Sequence, residues 1–163
     1  MVRFSFSLIL AVFIWSAASY SASSADPVAN SSAAKVRAVY FHADWCSNCL
    51  VLRPKLEQAK LDTVDLPVQH ITLDFTNAQT WDQAMETALD EDVVATYNAY
   101  AGTTGMVVLL AADTGERIDC VNKLFSVATI SESFKQAVDR VDTVAPGSRD
   151  TGSIVCPPSR MRR

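Results

Sequence analysis

The chain has 163 residues, 49% of them hydrophobic and 20% charged, with a net charge of −4 and a pI near 5.0. That balance suits one globular domain with a real core. It excludes a nucleic-acid partner, because the only basic cluster is Arg160, Arg162 and Arg163 at the very end.

Residues 1–25 have the pattern of a cleaved secretory signal: Arg3, an apolar run from Phe4 to Trp15, then small residues up to Ala25. Ser23 and Ala25 occupy the two small positions before the cut. The apolar run is shorter than the roughly 18–20 residues a membrane span requires. Residues 26–35, rich in Ser, Ala and Asn, predict a flexible lead-in, and 36–144 the folded domain.

Val36 to Phe41 reads as a central, buried strand. It runs through His42-Ala43-Asp44-Trp45 into Cys46-Ser47-Asn48-Cys49, and Leu50, Leu52, Leu56 and Ala59 then recur at helical spacing between Arg53, Lys55 and Glu57. Cys46 therefore opens a helix, where unsatisfied N–H groups and the macrodipole stabilise a thiolate, and Cys49 lies one turn on. A zinc site would need two more ligands, and none is evident at suitable spacing, so no metal site is expected.

Val68 to Leu73 predicts the second strand, with Val68, His70 and Thr72 on one face and Gln69, Ile71 and Leu73 on the other. Two helices follow, over Ala78–Leu89 and Val93–Ala101, with Asp90-Glu91-Asp92 expected to cap the second and Gly102 to close it. Trp81, Tyr97 and Tyr100 are expected to pack rather than bind a ligand. Met106–Ala112 and Glu116–Val121 read as strands joined by a tight Asp113-Thr114-Gly115 turn. The last helix is expected to begin near Thr129, in a Thr129-x-x-Glu132 capping box. Residues 145–163, with their Pro, Gly and Ser, predict a disordered tail. Export would put all four cysteines in an oxidising setting, where Cys120 and Cys156 form a structural disulfide or stay free.

Between Val36 and Val141 the sequence resembles the thioredoxin superfamily, on Trp45 before the Cys46-x-x-Cys49 pair and Pro54 five residues after it. The resemblance implies an α/β thioredoxin-like fold: a central mixed four-stranded sheet flanked by helices, here with an extended helical segment before the third strand. It implies thiol–disulfide exchange on protein substrates without a cofactor, with Cys46 attacking and Cys49 resolving the mixed disulfide. Trp45, Met106 and Val107 would line the substrate groove.

Two departures bear on mechanism. Val107 aligns with the family's cis-proline, and a non-proline bond there is expected to be trans. Tyr40 replaces the buried aspartate that takes the resolving cysteine's proton, and His42 stands where an aromatic is usual. An imidazole is a good base at neutral pH and a phenol a poor one, so His70, with Tyr40, is the candidate proton relay; otherwise the proton goes to water and His70 is merely satisfied on its strand. The neutral Ser47-Asn48 pair favours a reductant or electron relay over an oxidant. The Phe-x-Ala-Asp-Trp-Cys run also resembles the thioredoxin-like domain of membrane thiol-reductant transporters, a partner class for a periplasmic or secreted monomer. The alternative is a soft-metal module holding copper on the two cysteines, with His42 as third ligand.

Overall fold

The computed structural model describes residues 34–160. The expected signal segment and most of the lead-in lie outside the described residues. Four strands and four helices follow in order: β1 (Val36–His42), α1 (Ser47–Asp62), β2 (Val68–Asp74), α2 (Ala78–Asp90), α3 (Val94–Tyr100), β3 (Met106–Ala111), β4 (Arg117–Asn122) and α4 (Val127–Thr143). They form one mixed sheet in the order β2-β1-β3-β4, with β1 parallel to β2 and antiparallel to β3, and β4 antiparallel to β3.

Helices cover both faces of the sheet, so β3 reads as a continuous apolar run and β1 as a largely apolar one, with Arg37 and His42 near its ends, rather than as alternating strands. Period-two alternation then divides their side chains between two cores. Ala38, Tyr40, Val107 and Leu109 pack under α1 and α4 with Leu52, Leu56, Ile130 and Phe134. Val39, Phe41, Met106 and Val108 pack under α2 and α3 with Phe75, Ala84 and Tyr97. Burying Leu52, Leu56, Phe134 and Phe41 contributes roughly 1.5–3 kcal/mol each.

Two expected helix starts move. The acidic triplet does not cap α3, whose N-cap is Val93 with no side-chain bond. Glu91 instead ends α2, and Asp92 adopts φ +53° to turn the chain, 3.8 Å from Arg37. The N-cap of α4 is Ser126, three residues before the expected Thr129, because the Ser126 hydroxyl accepts from the Thr129 N–H at 3.1 Å.

The segment after α4 has no regular secondary structure, yet it is not the loose tail its composition predicts. Glu116 accepts from the backbone N–H groups of Gly147 and Arg149, at 2.8 and 2.7 Å. The buried Arg149 guanidinium donates to Asp113 at 2.6 Å and to the carbonyl oxygens of Val144 and Val141. Thr151 N–H donates to Ile118, Arg160 N–H donates to Ala99, and a disulfide joins Cys156 to Cys120. Polar bonds and one covalent bond hold this segment where apolar packing is sparse.

Candidate active site

Strand β1 ends at His42, and the Ala43–Trp45 turn delivers Cys46 to the N-cap of α1. The Cys46 Sγ accepts from the Cys49 N–H at 3.2 Å, so the thiol serves as the helix's capping group. Both cysteines are free thiols. Desolvation raises the Cys46 thiol, but hydrogen bonds from the Cys49 thiol, Thr104 and the Cys49 and Asn48 N–H groups outweigh it and hold it below the ordinary cysteine value. Cys49 is 1% exposed; burial and its bond to Cys46 push it up. The site thus draws Cys46 toward the thiolate and Cys49 away from it.

The dithiol occupies the carboxyl end of β1, at the head of α1, in a sheet ordered β2-β1-β3-β4. The fold is thioredoxin-like.

Around this thioredoxin-like dithiol, Trp45 is 64% exposed, yet its indole N–H is anchored on the Thr76 carbonyl oxygen at 3.0 Å. The Thr76 hydroxyl also accepts from the Asp44 N–H, and Asp74 orients Thr76. Leu50 and Val51 are exposed beside the cysteines, so the apolar stripe expected on α1 buries Leu52, Leu56 and Ala59 but leaves Leu50 outward.

Met106 and Val107 do not line a groove. Both side chains are buried, one in each core, because β3 is covered on both faces. The residues that face the dithiol are Thr104 and Gly105, which precede β3. Gly105 adopts φ +83°, donates its N–H to the Phe41 carbonyl oxygen at 2.8 Å, and lies against Asn48 and Cys46. No cis peptide bond occurs among the described residues, as expected for the bond before Val107.

His70 is not in the site. It pairs with Ala38, four residues from His42 along β1, which at about 3.3 Å per residue is some 13 Å from the dithiol end. It lies edge-on to Phe134 at an exposed position of β2, and that distance takes it out of a relay to Cys49. Tyr40 is in the site, with its hydroxyl 3.5 Å from the Cys49 carbonyl oxygen. His42 reaches Tyr40 through Nδ1 and Asp44 through Nε2. Both ring nitrogens are thereby engaged, and among the described residues no three His, Cys, Asp or Glu side chains converge on one point. The copper alternative lacks its third ligand.

Sequence reasoning passed over Asp44, Thr76, Thr104 and the role of Gly105. The signal available for Gly105 was a glycine directly before a β-strand in a chain with only 5 glycines.

No family model and no curated protein matches the chain. Among solved structures it is similar to Trxlp from Edwardsiella tarda EIB202, at 14% identity and a TM-score of 0.43, over 64% of this chain and 87% of that one. It is similar to a secreted Mycobacterium tuberculosis disulfide oxidoreductase homologous to E. coli DsbE, at 20% identity and a TM-score of 0.42, over 64% and 84%. Tryparedoxin I from Leishmania major matches at 19% identity and a TM-score of 0.42, over 74% and 84%. At these TM-scores the chemistry of the site rests on its own geometry.

Proposed function

We propose that this chain is an exported thiol–disulfide oxidoreductase that exchanges its dithiol with protein disulfides, working as a reductant or electron relay. The observation that carries the reading is the placement of the two thiols: Cys46 caps the N-terminus of α1 and accepts from the Cys49 N–H, and Cys49 is sealed one turn away. The Cys46 thiolate attacks a substrate disulfide and expels one substrate thiolate. Cys49 then attacks Cys46 Sγ, closing the Cys46–Cys49 disulfide and releasing the second substrate sulfur, so a disulfide is reduced to two thiols as the dithiol is oxidised.

Exposed Trp45 and Leu50 offer an apolar seat for a protein chain, and Thr104–Gly105 supplies backbone beside the nucleophile. The loop residues Ser47 and Asn48 carry no charge that would stabilise the thiolate further, which favours a reducing couple. A reductant outside the cytoplasm needs electrons from a membrane thiol-reductant transporter, the partner expected for a periplasmic or secreted monomer. The Cys120–Cys156 disulfide supports an oxidising compartment.

Insulin reduction by wild type and Cys46→Ala tests the chemistry: activity is expected only in wild type, and equal activity in both would overturn the assignment. Equilibration with glutathione tests direction. A potential nearer about −250 mV fits a reductant, and one nearer about −120 mV means an oxidant.

A further inference from the structure

We propose that Tyr40, His42 and Asp44 form a proton path that takes the proton of Cys49 to solvent, with His42 as the acceptor. The path rests on the exchange reading above, because it serves the resolving step. Cys49 is sealed from water at 1% exposure, and its thiol must lose a proton as its sulfur attacks Cys46.

The groups are neighbours. The Tyr40 hydroxyl lies 3.5 Å from the carbonyl oxygen of Cys49, beside its thiol, and 3.3 Å from His42 Nδ1. His42 Nε2 lies 3.1 Å from Asp44 Oδ1. An ionised carboxylate only accepts, so Asp44 fixes the neutral imidazole's proton on Nε2 and leaves Nδ1 as an acceptor. In the resting dithiol the Cys49 S–H is directed at Cys46 and at the Phe41 carbonyl oxygen, 3.9 Å away. Once Cys46 is tied up in the mixed disulfide and the S–H turns to Tyr40, the path runs thiol to phenol oxygen, phenol O–H to Nδ1, Nε2–H to carboxylate. Exposure rises along the same line. Tyr40 and His42 are buried, at 4% and 9%, while the Asp44 side chain is 72% exposed.

The groups facing His42 select it as the base. On its own strand and turn they are Tyr40 and Asp44; α1 contributes Cys49 and, beyond Tyr40, Arg53; β2 contributes Asp74, its partner in register. The Asp74 Oδ1 is taken up by the Thr76 N–H and hydroxyl. The adjoining start of β3, Thr104-Gly105-Met106, brings no ionisable group. Burial first, then its bond to Cys49, holds the Tyr40 phenol above the ordinary tyrosine value, so it passes a proton without keeping the charge.

The step balances. The electron pair of the Cys49 S–H bond becomes the new bond to Cys46 Sγ, and the bond from Cys46 to the substrate sulfur breaks with its pair leaving as thiolate. The thiol proton moves to the Tyr40 oxygen as the phenol proton moves to His42 Nδ1. The imidazolium is held by Asp44 and gives its proton to water.

The test is a stopped-flow reaction of the reduced full chain with equimolar 5,5′-dithiobis(2-nitrobenzoate). The first thionitrobenzoate release reports attack by Cys46 and the second reports attack by Cys49. In Tyr40→Phe and His42→Gln the first release should stay close to wild type. The second should slow about ten- to a hundredfold near neutral pH, within the range of general-base effects. The deficit should shrink as pH rises and Cys49 ionises unaided, and the double variant should be no slower than either single one. His70→Gln should follow wild type throughout. Asp44→Asn, at an exposed side chain, carries the test if a buried variant loses its fold, and should show a smaller deficit of the same pH shape. Second-release rates and pH profiles that superimpose on wild type would overturn the path. A wild type that gives no second release would overturn the exchange reading instead.

Discussion

Gly105 approaches Cys46 so closely that a Cβ on the glycine would lie 3.3 Å from the Cys46 Sγ and 2.5 Å from the Asn48 Cβ. The backbone there is at φ +83°, a region that L side chains rarely adopt. Gly105→Ala should therefore cost about 2–4 kcal/mol, from left-handed strain and overpacking together. It should also slow insulin reduction, because the segment facing the nucleophile must shift. Urea unfolding and the reduction assay read the two effects, and an unchanged variant would mean this approach has no role.

The two thiols should give the reduced protein a pH-dependent stability that the disulfide form lacks. Cys46 is lowered in the folded state, so its contribution is present above the unfolded cysteine value of about 8.5 and is lost as pH falls through its folded value. Cys49 is raised, so stability is lost as pH climbs from about 8.5 toward its folded value. The reduced form should gain stability with pH up to about 8.5 and then decline, relative to the oxidised form. Denaturant unfolding of both forms across that range checks the sign. Iodoacetamide trapping of Cys46 should fall away as pH drops through its folded value.

The Cys120–Cys156 bridge spans a sequence separation of 36, which in the chain-entropy model contributes roughly 3–4 kcal/mol. Replacing both cysteines by serine should lower Tm on the order of 10 °C and leave exchange intact. Peptide mapping without reduction should recover the two cysteines joined. Loss of exchange in the double variant would place the bridge in the reaction rather than in the scaffold.

Arg149 is 4% exposed and holds the chain after α4 through Asp113, Val141 and Val144. Its hydrogen bond, joined by its charge, keeps the Asp113 carboxyl below the usual carboxylate range. Arg149→Ala leaves two buried carbonyl contacts unmet and should cost about 2 kcal/mol. The effect should appear as faster proteolysis within residues 145–155 while the disulfide stays closed. Unaltered proteolysis would assign the anchoring to Glu116 and the disulfide alone.

The dithiol and the place of Cys46 at a helix N-terminus were legible in the sequence because they depend on local facts. A buried strand followed at once by an apolar-periodic helix puts Cys46 at the helix N-terminus whatever the rest of the chain does. The strands and helices were legible for the same reason, to within a few residues at their ends. What only the tertiary structure decided was which side chains meet across elements. Register places His70 opposite Ala38 and far from the dithiol, while His42, two residues from Tyr40, closes onto it. Cover on both faces of β3 buries Met106 and Val107 and leaves the two residues before the strand to face the cysteines. The chain after α4 has the composition of a loose tail, yet Glu116, Arg149 and a Cys120–Cys156 Cα separation of 5.1 Å fix it. Periodicity reports which way a side chain points from its own backbone; its partner is set by how distant segments pack, and no local pattern encodes that.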